Sequence, residues 1–185
     1  MGKTEEKFLV LLNLLNNCRD KLYSLYNLFY ANLKKAKGDS AEMAKLYDDV
    51  MSCHDELKVI DLQKDKKSPK LIVKNIVTRL NNNKQEFLEF YSQFKNALKD
   101  CMPLREEYKK EVVMCCDTYK KMKKGDEMDS FEKGYRQQVK LIKAILDKIK
   151  TCIIEYKNED TVVENRKSLF DTTYVKSDYI AKTLV

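Results

Sequence analysis

Apolar residues recur along this chain at alternating steps of three and four. Phe8, Leu11, Leu15, Cys18, Leu22, Leu25 and Phe29 form one series, and Met43, Leu46, Val50, Cys53, Leu57 and Ile60 a second. A third runs Val73, Ile76, Leu80, Asn83, Phe87, Phe90, Phe94, Ala97 and Cys101. A fourth runs Met128, Phe131, Tyr135, Gln138, Ile142, Ile145, Ile149, Cys152 and Tyr156. This alternation keeps one face of a helix apolar and is the seam of helices that pack along their length. Leu12, Tyr26, Val77, Leu88, Tyr91, Leu98, Leu146 and Ile153 lie beside the seams and widen them. Wide stripes predict a bundle of three or more helices rather than a two-stranded rope.

The punctuation between the series has one grammar: lysines, a breaker, then a cap. Gly38-Asp39-Ser40 follows Lys34, Lys35 and Lys37, with Glu42 at capping-box distance from Asp39. Ser68-Pro69 places a cap before a proline at the first helical position. Gly125-Asp126 is followed by Glu127 and Asp129, carboxylates suited to a first turn. The predicted helices are therefore 4–37, 40–63, 69–124 and 127–158. Pro103 interrupts the third, but the spacing runs through it to Leu104 and Tyr108, which favours one helix kinked near residue 100 over two. Residues 159–185 read as a tail that is either irregular or docked on the bundle, since Thr172-Thr173-Tyr174-Val175 has strand-forming residues and no partner strand. The expected fold is all-α: an elongated bundle of long antiparallel amphipathic helices, one domain over 1–185.

Composition agrees. Only 4 Gly and 2 Pro occur among 185 residues, and 35% of positions are charged, which suits long helices with one wet face each. The 43% hydrophobic content is too high for a disordered chain. No apolar run approaches the roughly 18 residues of a membrane span. Phe8 to Leu12 is too broken by Asn13, Asn16 and Asn17 to serve as a signal core, and Glu6 stands where a myristoylation motif wants Ser or Thr.

The net charge of +7 comes from 36 Lys+Arg against 29 Asp+Glu. The only arginines are Arg19, Arg79, Arg105, Arg136 and Arg166, so the forked donors that read phosphates and bases are scarce. Most aromatic residues sit on the seams rather than free to stack on bases, and nucleic acid is not an expected partner. Two lysine clusters are candidate contact sites for an anionic membrane surface: Lys64, Lys66 and Lys67, and Lys120, Lys121, Lys123 and Lys124. The competing explanation is that cations stabilise the last turn of any helix.

Candidate chemistry is thin. Cys18, Cys53, Cys101, Cys115 and Cys152 fall on or beside the stripes, as reduced core thiols do, with Cys116 next to Cys115. There is no Cys-x-x-Cys and only one histidine, so neither metal nor cofactor is expected. An even count of six keeps disulfide staples in a secreted or surface module as the alternative to a cytoplasmic protein. His54 and Cys53 point about 100° apart on a helix and do not make a catalytic pair. Asp48-Asp49 reads as a solvated face. No phosphate-binding loop or nucleophile elbow is present, and no enzyme is expected.

Three features remain. Asn83 and Gln138 interrupt apolar seams, where a polar residue either fixes register or marks a wet layer. Thr183-Leu184-Val185 fits the carboxyl-terminal pattern that adds a strand to a PDZ-type groove, making Thr183 and Val185 candidate contacts. The expected function is a non-enzymatic scaffold or adaptor that binds other proteins through helix faces or ends, and a homo-oligomer is compatible with it. The alternative is a peripheral membrane module working through its lysines.

Overall fold

The computed structural model describes residues 2–62, 69–122 and 129–184. Apart from Gly2, the turn at 96–100 and Met122, all of them are helical, and no strand occurs among the described residues. The protein is an all-α bundle of helices α1 (Lys3–Leu62), α2 (Pro69–Lys95), α3 (Cys101–Lys121) and α4 (Asp129–Leu184). Glu5 and Glu6 occupy the first turn of α1, and Asp129 and Glu132 that of α4, where carboxylates complement the helix dipole.

Three boundaries differ from the sequence reading. Helix α1 does not stop at Gly38-Asp39-Ser40. The stripe continues through Leu33, Ala36, Ser40 and Met43, all buried, and Ser40 satisfies its hydroxyl by donating to Glu159 Oε1 at 2.6 Å. Burial along the stripe outweighs the roughly 1 kcal/mol that a glycine costs a helix. The interruption near residue 100 is a five-residue turn at 96–100, not a bend within one helix. Pro103 has no N–H to give the carbonyl of Lys99, and its ring crowds that carbonyl, so the ladder opens one turn upstream. Placed in the first turn of α3, the missing N–H costs nothing. Finally, 159–184 is helical and belongs to α4, with Val163, Phe170, Ser177 and Ala181 buried.

The chain folds into two compact units. The first contains Met1–Leu33 and Leu98–Glu155, hence parts of α1, α3 and α4. Here α1 and α3 run antiparallel: Phe8 meets Tyr119 edge-on at 5.8 Å, and Asn32 Nδ2 lies 3.3 Å from Cys101 Sγ. Helices α1 and α4 run parallel, since Phe8 lies near Phe131 and Lys148 sits over the Tyr26 ring. The predicted seam from Phe8 to Phe29 is buried at every position.

The second unit contains Lys34–Ala97 and Tyr156–Val185. Its core gathers Met43, Val50, Cys53 and Leu57 from α1, Val73, Ile76, Leu80, Phe87 and Phe94 from α2, and Val163 and Phe170 from α4. Phe87 and Phe170 stack face to face at 3.9 Å. Helix α2 is antiparallel to both others, with Arg79 bridging Asp49 and Glu56 of α1 and Lys95 bridging Asp160 and Glu164 of α4. The Tyr156 hydroxyl donates to the carbonyl of Phe94 at 2.8 Å, giving one of the last carbonyls of α2 a second partner beside the Ala97 N–H.

Candidate interaction surface

The sequence singled out Asn83, and its surroundings explain why a polar residue stands there. It is buried, and its Nδ2 donates to Asp49 Oδ2 at 2.7 Å. The other Asp49 oxygen accepts from Arg79 Nη2 at 2.7 Å, and Arg79 also reaches Glu56. The Asn83 hydrogen bond, then Arg79, hold the Asp49 carboxyl below the usual carboxylate range against the cost of burial. Asp48 is exposed as expected, but Asp49 is built into this ladder rather than solvated. Gln138, the other interrupted seam position, accepts from Arg19 Nη1 at 3.0 Å. Both polar positions therefore face a partner from another helix.

The remaining sequence candidates separate. Lys120 and Lys121 are exposed near the end of α3. Lys64, Lys66, Lys67, Lys123, Lys124 and Val185 lie outside the described residues. Thr183 is helical, and its hydroxyl donates to the carbonyl of Tyr179 at 2.8 Å. Joining a sheet edge would require the last turn of α4 to unwind, so this conformation does not present the strand that a PDZ-type groove takes.

All six cysteines are free, and five are buried. Burial pushes the Cys18 thiol up to about 12 and the Cys53 thiol up to about 11, so neither is a ready nucleophile. His54 Nδ1 lies 3.1 Å from the Ser177 hydroxyl, which is fully buried and out of a substrate's reach. Among the described residues no cluster of three or more His, Cys, Asp or Glu could hold a metal ion, and no helix is long and apolar enough to cross a membrane.

Sequence reasoning missed an open surface groove that belongs to the first unit. Helix α1 carries a second stepped series beside its buried seam: Val10, Leu14, Asn17, Lys21, Ser24 and Leu28. Helix α3 and its C-cap answer with Leu104, Tyr108, Glu111, Met114, Thr118 and Met122. These residues line one face of the α1–α3 pair. A cavity of about 600 Å³ is bounded by Leu11, Leu14, Cys18, Met114 and Cys115. A second of about 910 Å³ shares Leu11, Leu14 and Thr118 with it and adds Val10, Met122, Lys3, Lys7 and Lys121. A third, about 410 Å³, continues past Lys21 to Leu28, Leu104 and Tyr108. Val10, Leu14 and Met114 are 58%, 49% and 69% exposed, so this is apolar surface left open to water. The Lys21–Glu111 ion pair crosses the groove at 3.4 Å, and its hydrogen bond raises the Lys21 pKa. The stepping of Val10, Leu14 and Leu28 was the signal available in the sequence.

Comparison with protein-family models, curated proteins and solved structures finds no match.

Proposed function

We propose that this chain is a non-enzymatic protein–protein interaction module, a helical scaffold or adaptor. The observation that carries the reading is the open groove on the α1–α3 face, whose cavities adjoin through Leu11, Leu14 and Thr118. Isolated exposed apolar residues are ordinary, but exposed apolar residues gathered with a few polar ones along two facing helices are the form taken by a protein-binding groove. The free thiols support a reducing compartment, the cytoplasm, as its place of action.

Site-specific photo-crosslinking in the source cell tests this. A photoreactive residue at Leu14 should give a discrete protein adduct that one at Lys143, an exposed α4 position of the same unit, does not. Equal labelling from both positions, or none from either, would count against the module.

A further inference from the structure

Taking the interaction reading as its basis, we infer that the α1–α3 groove is a seat for an acidic amphipathic helix of a partner protein. Both walls are helices whose groove-lining residues step by three and four, the pattern into which the ridge of a third helix fits. The stretch from Lys3 to Lys21 spans roughly 27 Å at 1.5 Å per residue, the length of a helix of about 18 residues.

Charge selects the occupant. In the middle of the groove Lys21 is neutralised by Glu111, and the other carboxylate lining it, Asp20, is paired with Arg19 at 3.5 Å. At the mouth Lys3, Lys7 and Lys121 line the cavity against a single carboxylate, Glu6. None of the three lysines enters an ion pair among the described residues, so the described residues of the mouth carry a net positive charge beside apolar Val10, Leu11 and Leu14. A helix with Leu on one face and Glu flanking it meets both demands, whereas a second copy seated here with its own lysine mouth would set like charges together.

The probes are three synthetic peptides of about 18 residues, sharing one leucine face and carrying Glu, Gln or Lys on the flanks. Fluorescence anisotropy with the full chain should show the Glu peptide binding, more weakly as salt rises, and the Lys peptide binding least. The double variant Lys7→Glu with Lys121→Glu should weaken the Glu peptide about tenfold and improve the Lys peptide. Leu14→Glu, at an exposed position that leaves the buried seam intact, should abolish binding of all three. Equal affinity for Glu and Gln peptides at every salt concentration overturns the acidic assignment while leaving the interaction module standing. Binding of no peptide by a chain that remains helical overturns the helix seat, even where Leu14 crosslinks to a partner of another shape. A chain that is dimeric and becomes monomeric with Leu14→Glu overturns the heterologous occupant in favour of a second copy.

Discussion

Replacing Asn83 by leucine separates the energetic role of the seam polar group from its positional one. The side chain is 8% exposed, so leucine there gains most of the roughly 1.5–3 kcal/mol that burying such a side chain provides. It loses one hydrogen bond to a charged acceptor, worth about 1.5–3 kcal/mol. The acceptor is not orphaned, because Asp49 keeps Arg79 at 2.7 Å and its side chain is 41% exposed to water. The terms nearly cancel, and Asn83→Leu should lie within about 1 kcal/mol of the parent in urea denaturation. Asn83→Ala loses the bond without the burial and should cost about 1.5–3 kcal/mol. A second readout isolates the bond. Asp49 titrates below its ordinary value in the fold, so its contribution is present above the unfolded-state pKa and is lost as pH falls through the folded one. With Asn83→Leu the folded pKa moves back up, and the acid-side loss of stability shrinks. Carboxyl NMR titration of Asp49 reads this directly. Should leucine cost as much as alanine while Asp49 titrates as in the parent, the hydrogen bond is not what makes position 83 polar.

Four further outcomes follow from other sites. Gly38→Ala should raise stability by about 0.5–1 kcal/mol in chemical denaturation, since residue 38 is mid-helix and exposed and an added Cβ meets nothing within 4 Å. Phe170→Ala should cost about 3–5 kcal/mol, because it empties a fully buried position stacked on Phe87; a loss below 1 kcal/mol would detach residues 159–184 from the core. Thiol titration should find few reactive groups in the native protein and all six after unfolding without reductant. Burial, with Lys58 and Lys176 nearby, holds His54 below its ordinary value. The fold then favours the neutral ring, stability falls as pH drops through about 6.5, and His54→Gln should flatten that slope in pH-dependent melts.

The seams were legible because a buried stripe repeats the same residue type at every turn; from Phe8 to Phe29 each predicted position is buried. Where the repeat carries polar residues, local reading fails. The motif around Gly38 contains every local stop signal, yet Ser40 is a core residue whose partner, Glu159, stands 119 positions away. The tail hid for the same reason. Tyr156, Val163, Phe170, Ser177 and Leu184 follow at sevens, but Asp160 and Lys167 fill intervening seam positions and are held by Lys95 and Asp171. The groove was invisible for a different reason. Val10, Leu14 and Leu28 are spaced as core residues are, and only burial distinguishes a seam that has found its partner from one that has not.

Register is a further problem that apolar seams do not solve alone, because a stripe repeating every seven residues fits its neighbour almost as well after a seven-residue slip. The polar interruptions remove that degeneracy. Sliding α4 forward by seven would bring Arg166 toward Ser40 in place of Glu159, and Leu184 toward His54 in place of Ser177. In the first unit the same slip sets Ile145 against Arg19 in place of Gln138. Moving α2 by seven offers Asp49 either Ile76 or Phe90 where Asn83 now donates. Each mismatch leaves a polar group without its partner, at about 1–3 kcal/mol where it is buried. The apolar pattern thus explains why the helices associate, and the few polar residues within it explain why they associate in one register. A groove assembled from α1 and α3 depends on that second condition: in the register that sets Phe8 against Tyr119 and Asn32 against Cys101, Glu111 stands opposite Lys21.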